Sequence, residues 1–246
     1  MKRKTCLLAI GSVIVLALVG CGGPKPTWSY LIWGSQLQIL GSDFPQQYAA
    51  FVEKDQRVIV EIKNYASGSP AKTLLTRLST NQEFMDYIKK AQVMTFDWNP
   101  GSVDSAEREF LRGECGGADN QDCLRAEYQK AKQDWLAILD RMIELRAGDT
   151  SGMRQIIMGS WPYPVHYSNV TPEQLSAMVG YFLDMASFLM EEAEKRSIEY
   201  VKVFPGEYYE EKAPPEEWVH GVGLTEEGDA VIVDALKQFE FEKPAE

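Results

Sequence analysis

The chain has 246 residues, and its 25 basic and 36 acidic side chains give a formal net charge of −11. Nucleic-acid binding depends on neutralising phosphates, so this acidic balance excludes nucleic acid as the expected partner. Hydrophobic residues make up 45% of the chain, which is enough to fill the core of one domain of ordinary to large size.

The first twenty residues have the pattern of a bacterial export leader. A basic start over residues 2–4 precedes an apolar run, Leu7–Val19, that is shorter than the roughly 20 residues of a spanning helix. The sequence Leu18-Val19-Gly20-Cys21 resembles the lipobox, which implies cleavage before Cys21 and acylation of that cysteine. An ordinary leader with a chance cysteine is the alternative. Removal of the leader leaves 22 basic against 36 acidic residues, a net charge of −14.

These features predict a protein of the cell envelope, held on the extracytoplasmic side of a lipid bilayer through acylated Cys21. The segment Gly-Gly-Pro-Lys-Pro-Thr that follows is typical of a flexible tether. The predicted domain boundaries are a leader over 1–20, a lipidated tether over 21–27, one domain over 28–240 and a tail over 241–246.

Apolar runs and alternating patterns predict five strands that alternate with helices. The predicted strands cover residues 28–33, 57–65, 93–96, 153–158 and 198–204. The predicted helices start near Phe44, at Pro70 and at Asn81, and continue with 121–147, 172–196 and a last helix from the cap Thr225 to Phe239. A long polar loop is expected before residue 121. This alternation favours βαβ units, and therefore an α/β fold: a three-layer α/β/α sandwich with a parallel sheet of about five strands.

Two cysteines remain in the mature chain, in the polar segment CGGADNQDC. Cys115 and Cys123 have seven residues between them, and a close pair in an exported protein is typical of a disulfide. Metal binding is the alternative, although the chain offers no second pair of ligands. The sequence holds no phosphate loop, zinc motif or dinucleotide fingerprint, so we expect neither a cofactor nor a metal.

Ligands of parallel α/β sheets bind beyond the carboxyl ends of the strands. Four predicted strands end in short polar or glycine-containing segments: Gly34-Ser35-Gln36, Ala66-Ser67-Gly68, Asp97-Trp98-Asn99 and Gly159-Ser160-Trp161. A further alternative is an aromatic rim for a sugar or lipid-like ligand, formed by Trp161, Tyr163, His166 and Tyr167.

Several segments together resemble the SGNH, or GDSL-type, hydrolases. They are the first strand end Gly34-Ser35-Gln36-Leu37, FPQQYAAFVEKD, NYASGS, CGGADNQDCLRAEYQKAKQDWLAILDRMIELR and LTEEGDAVIVDAL. The resemblance covers nearly the whole mature chain and implies a three-layer α/β/α domain of the flavodoxin-like kind. It also implies an esterase or lipase that acts on acyl or acetyl esters with a serine, histidine and aspartate triad.

The chain departs from the family pattern at the catalytic positions. Gln36 occupies the position of the nucleophilic serine, and Ser35 occupies the aspartate position before it. Near the C-terminus, His220 falls on the position of the acid and Gly223 on that of the base. Nucleophile and base are therefore both replaced. The resemblance leaves Gly68 and Asn99 as remaining parts of an oxyanion hole, with Asp97 beside Asn99.

These departures give two hypotheses. In the first, the domain is catalytically degenerate and binds an ester, glycan or lipid-like ligand, or serves as a scaffold. In the second, it is an active serine esterase or deacetylase in a shifted register, with Ser35 as nucleophile, His220 as base and Glu217 as the orienting acid. A structural envelope protein without a ligand is a third alternative.

Overall fold

The structure is a computed structural model that describes residues 24–34, 42–67, 69–98, 103–147, 152–160, 170–203, 219–220 and 223–241. Five parallel strands form one sheet in the order β2-β1-β3-β4-β5. They are β1 (Thr27–Gly34), β2 (Ile59–Ala66), β3 (Val93–Asp97), β4 (Gln155–Ser160) and β5 (Glu199–Lys202). The predicted α/β class and parallel sheet are confirmed.

Seven helices surround this sheet in the described residues. They are α1 (Phe44–Gln56), α2 (Ala71–Thr80), α3 (Gln82–Lys90), α4 (Asp104–Leu111), α5 (Asp122–Arg146), α6 (Pro172–Glu194) and α7 (Glu226–Leu236). Right-handed crossovers place α1 and α7 together on one face and α2 to α6 on the other. No helix in this part of the chain is long and apolar enough to cross a membrane.

Side-chain caps explain where α6 and α7 begin. The Thr171 hydroxyl accepts from the Gln174 amide at 3.2 Å, and the Gln174 side chain accepts in return from the Thr171 amide at 3.1 Å. Thr225 likewise accepts from the Gly228 amide at 3.1 Å. Each bond satisfies an amide that the first helical turn leaves without a partner. Both starts were predicted from the sequence and are confirmed.

The core between the sheet and the larger helical layer is built around Trp33. Its ring stacks on Phe96 with 4.4 Å between ring centroids and 4° between planes. Trp135 of α5 lies parallel to it at 6.4 Å, and Phe84 of α3 meets it edge-on at 5.9 Å. All four rings are buried, so they fix the position of β1 between its neighbouring strands.

The prediction of one long loop between β3 and α5 was wrong, because the structure has helix α4 there. Val103, Ala106 and Phe110 recur at helical spacing and are buried, and α4 packs against α5. Acidic residues between them hide this apolar pattern in the sequence. A second unpredicted element is the antiparallel pair β6 (Val219–His220) and β7 (Gly223–Leu224).

The C-terminal segment remains packed as far as Phe241. The Phe241 ring lies 6.1 Å from the ring of Trp28 at the start of β1. The Gln155 side chain donates to the carbonyl of Phe239 at 3.2 Å. Phe239 and Phe241 are therefore fixed beside the amino ends of β4 and β1.

Candidate functional site

The carboxyl ends of four neighbouring strands meet at one edge of the sheet. Gly34 of β1 pairs with Ala66 of β2, and Asp97 of β3 pairs with Gly159 of β4. The four segments in which the sequence placed candidate residues therefore leave the sheet side by side. This edge is the candidate site, because a crevice for ligands forms where crossovers leave β1 in opposite directions.

Gly34 and Asp97 are in direct contact at the centre of this edge. Gly34 has φ +103°, and a Cβ added to it would lie 2.3 Å from the Asp97 carbonyl oxygen and 2.7 Å from Asp97 Oδ1. The backbone conformation and the close contact therefore both require glycine here. Asp97 is 1% exposed, so its carboxyl group is buried beside Gly34 at this edge.

The end of β2 carries a hydrogen-bonded cluster that the sequence did not reveal. Arg77 of α2 donates through Nη1 to the Ser67 hydroxyl at 2.6 Å, and that hydroxyl donates to the Ser69 hydroxyl at 2.9 Å. The Ser67 amide donates to the Gly34 carbonyl at 3.4 Å. A half-buried guanidinium thus supports the strand end before Gly68. A lone arginine in an amphipathic helix carries no sequence signal for this role.

The hairpin before α7 brings together the two residues that the resemblance places on the acid and base positions. The backbones of His220 and Gly223 are paired, as are those of Val219 and Leu224. Directly opposed residues in an antiparallel pair have Cα atoms roughly 4.5–5.5 Å apart. The backbone of the one histidine in this region therefore lies beside the position where the family carries its base.

Asp229 joins the segment after the hairpin to the segment after the first strand end. Its Oδ1 accepts from the Ser42 hydroxyl, and its Oδ2 accepts from the Asp43 amide at 2.7 Å. Asp229 is 4% exposed. The carboxylate thus fixes the start of α7 against the start of α1. The sequence reasoning missed Asp229, although an aspartate on the buried side of a capped helix is a usable signal.

Most of the predicted site residues lie outside the described residues. The structure places Asp97 in full and the backbone of His220 and Gly223, and it brings Asp97 against Gly34. The remaining candidates lie outside: the lipidation residue Cys21, the site residues Ser35, Gln36, Gly68, Asn99 and Glu217, and the aromatic set Trp161, Tyr163, His166 and Tyr167. Their roles stay predictions.

The expected disulfide between Cys115 and Cys123 is present and connects the α4–α5 loop to the first turn of α5. Asn120 shapes this loop: its side chain accepts from the Cys115 amide and donates to the Phe110 carbonyl, both at 2.8 Å. Because both sulfur atoms are in the bridge, this cysteine pair does not supply thiolate ligands to a metal ion. Across the described ranges, no three histidine, cysteine, aspartate or glutamate side chains are grouped so that they could hold a metal ion.

A cavity of about 270 Å³ lies at the opposite edge of the sheet, near the amino ends of β4 and β5. Its arginines take part in structural contacts. Arg146 donates to the Lys89 carbonyl at 3.1 Å, at the end of α3. Arg196 pairs with Asp140 at 2.5 Å and Glu192 at 2.7 Å. These cations hold helix ends together, so the cavity is not the candidate site.

Solved structures with the same arrangement of strands and helices are lipases and esterases. A lipase from a goat rumen metagenome superposes with a TM-score of 0.65 at 15% identity, covering 86% of this chain and 96% of its own. The chain has an SGNH hydrolase-like fold. The confirmed strand order and the resemblance of the segments around Gly34 and Thr225 agree with that fold.

Two further structures share the SGNH hydrolase-like fold at similar distance. A mutant of an acetyl-xylooligosaccharide esterase from Geobacillus stearothermophilus has a TM-score of 0.58 at 11% identity and covers 90% of this chain and 99% of its own. An extracellular lipase from Streptomyces rimosus has a TM-score of 0.58 at 14% identity, with coverage of 86% and 99%. No family model and no curated protein matches the chain. At these identities the likeness establishes the fold alone.

Proposed function

We propose that this chain is a lipid-anchored protein of the bacterial envelope whose SGNH hydrolase-like cleft binds a ligand without hydrolysing it. The proposal is supported by the resemblance, which places Gln36 and Gly223 at the positions of nucleophile and base in a fold that is retained. An amide cannot attack a carbonyl usefully, and glycine cannot transfer a proton. Without a nucleophile and a base, the fold can still form a cleft for a ligand, but it cannot hydrolyse an ester bond.

The buried carboxyl group of Asp97 supports the same conclusion. Ester hydrolysis builds negative charge on the carbonyl oxygen, and an active site stabilises that charge with donors or positive groups. Asp97 Oδ1 lies within 2.7 Å of the position of an added Gly34 Cβ, at the edge where the resemblance places the oxyanion hole. A carboxyl group there supplies no positive charge with which to stabilise an oxyanion.

The ligand class follows from the fold and from the proposed location. The neighbours in fold are named as lipases and as an acetyl-xylooligosaccharide esterase. A cleft of this kind that has lost the reaction is suited to an acylated or acetylated carbohydrate, a glycan or a lipid-like molecule.

The second candidate is an active esterase, and one observation favours it. The backbone pairing of His220 with Gly223 puts a histidine within one cross-strand spacing of the family's base position. In that reading Ser35 is the nucleophile, His220 the base and Glu217 the acid that orients it. The side chain of His220 would have to reach the site from a position three residues earlier in the chain.

The test is labelling of the purified chain with a fluorophosphonate, which reacts with activated serines, followed by mass spectrometry to locate the adduct. We expect no labelling in protein that circular dichroism shows to be folded. Stoichiometric labelling at Ser35 that is lost in His220→Ala would overturn the binding proposal in favour of the esterase. Gln36→Ala is the matched control, because it changes the neighbouring side chain and leaves Ser35 in place.

The anchor is tested separately, by the mass of the N-terminal peptide. We expect a peptide that begins at Cys21 and carries diacylglycerol and an amide-linked acyl chain. Cys21→Ser should move the protein from the membrane fraction to the soluble fraction, because a chain without its acyl groups loses most of its affinity for the bilayer.

A further inference from the structure

The tether enters the domain at the edge of the sheet opposite to the candidate site. β1 starts at Thr27, and Ile59 at the start of β2 donates its amide to the Pro26 carbonyl at 2.9 Å. The chain is therefore fixed to this edge up to Pro26, five residues after Cys21. Five extended residues reach at most about 18 Å, so this edge stays close to any bilayer that holds Cys21.

One exposed apolar side chain, Ile59, lies at this same edge. Among the described residues, the large apolar side chains that stand out as exposed are Ile59 at 48% and Met190 at 44%. Ile59 pairs with Thr27 at the amino end of the sheet. Met190 lies one turn before the end of α6, which leads into the amino end of β5. Trp28, half-buried beside Phe241, lies on the other face of the sheet from Ile59.

Two exposed cations, Lys25 and Arg57, lie close in sequence to Ile59 or to its pairing partner Thr27, together with the exposed acidic residues Asp55 and Glu61. Lys25 and Arg57 are exposed and have no ion-pair partner among the described residues. The Arg154 guanidinium lies 5.9 Å from the centre of the Trp28 ring. Tryptophan with a neighbouring cation is typical of the boundary between water and lipid headgroups. Cations near an anionic leaflet are attracted to its surface.

We infer that this edge docks on the bilayer to which the chain is anchored. The docking surface, called the basal patch, consists of Lys25, Trp28, Arg57, Ile59 and Phe241, and its partner is the headgroup region of an anionic membrane. The inference rests on the lipid anchor of the proposed function. Because the tether keeps the patch at high effective concentration near the membrane, a modest affinity is enough for docking.

Docking also orients the candidate site. Gly34 lies six residues after Trp28 of the basal patch along β1. At about 3.3 Å per residue, the site lies roughly 20 Å further from the bilayer than the patch. The cleft therefore faces away from the membrane and takes its ligand from the extracytoplasmic space. Acyl chains of the anchoring bilayer do not reach it, so a glycan fits this geometry better than a membrane lipid.

The experiment places one cysteine at each edge of the same chain. Ile59→Cys reports on the basal patch, and Thr73→Cys, on exposed α2 near the carboxyl ends of the strands, is the matched control. Cys115 and Cys123 are already bridged and do not react. Each variant, produced as the full chain in a bacterial host, carries an environment-sensitive fluorophore and is reconstituted into vesicles of phosphatidylglycerol and phosphatidylethanolamine.

We expect the fluorophore at position 59 to emit at a shorter wavelength than the fluorophore at position 73. Its quenching constant for iodide should be at least about threefold smaller, because an interfacial group is inserted roughly 5–10 Å into the headgroup region. Arg57→Glu should reduce that difference. Equal quenching at both positions, in protein whose N-terminal peptide carries the lipid, would overturn docking and leave the anchor intact. An N-terminal peptide without lipid would overturn the anchor, and the docking inference with it.

Discussion

Replacing Gly34 with alanine tests the contact on which the candidate site is built. At φ +103° an L-residue is strained by about 1–2 kcal/mol. The added Cβ would also lie 2.3 Å from the carbonyl oxygen and 2.9 Å from the amide nitrogen of Asp97. Those backbone atoms belong to a central strand that pairs on both sides and cannot move freely, so the overlap adds about 1–3 kcal/mol.

The free energy of unfolding of Gly34→Ala should therefore fall by about 2–5 kcal/mol, a large part of the roughly 5–15 kcal/mol of a typical domain. Urea unfolding followed by tryptophan fluorescence measures this value. With a slope of about 3 kcal/mol per molar, the midpoint should move down by about 1 M or more.

Two other glycines separate strain from overlap. Gly113 has φ +76° with no atom within 4 Å of an added Cβ, so Gly113→Ala should cost only the strain, about 1 kcal/mol. Gly180 lies in α6 with open space around it, and Gly180→Ala should stabilise the helix by about 0.5–1 kcal/mol. If Gly34→Ala is no more destabilising than Gly113→Ala, the close contact with Asp97 is refuted.

Three further perturbations test other parts of the structure. Asp229→Asn leaves one acceptor where the carboxylate has two bonded oxygens, so the free energy of unfolding should fall by about 1–3 kcal/mol in urea unfolding. Arg125 holds the pKa of Asp119 at about 2, so Arg125→Gln should raise that pKa toward about 3.9 in a carboxyl NMR titration. Replacing Cys115 and Cys123 together by serine should lower stability by about 2–3 kcal/mol, because the unfolded chain regains the freedom of a short loop.

Each of these has a result that contradicts it. Asp234→Asn, on the exposed side of α7, is the control for Asp229→Asn. If the two substitutions lower the free energy of unfolding equally, the hydrogen bonds of Asp229 have no special role. For Asp119, the lowered pKa means that the stabilisation is present above pH 4 and is lost as the pH falls toward 2. An Arg125→Gln variant that is destabilised as much at pH 2 as at pH 7 would contradict this. Unchanged unfolding of the serine double variant would mean that Asn120 alone holds the loop.

The fold could be predicted from the sequence because its signals are local. Val60 and Ile62 alternate in β2, and Thr171 with Pro172 marks the start of α6. These patterns predict strands that alternate with helices, and the right-handed sense of the crossovers then leaves few possible topologies. Helix α4 was missed because its buried apolar residues Ala106 and Phe110 are separated by charged ones.

The site could be predicted only in part, because it depends on contacts between distant segments. The order of strand ends follows from the topology, so the meeting of Gly34 with Asp97 at one edge was within reach. The support of Ser67 by Arg77 and the bonds of Asp229 depend on side-chain conformations. Nothing in the local sequence specifies these conformations.

The carboxylate of Asp229 connects residues that are 186 and 187 positions away along the chain. A ribosome releases the Ser42 segment long before the Asp229 segment, and contacts of such long range form slowly because a large loop must close. Ser42 and Asp43 therefore lack their hydrogen-bond acceptor until α7 has left the ribosome. A chain that loses its final twenty residues keeps the sheet sequence but not the acceptor that holds the start of α1. The start of α1 therefore acquires these two hydrogen bonds only after the segment that forms α7 has been synthesised.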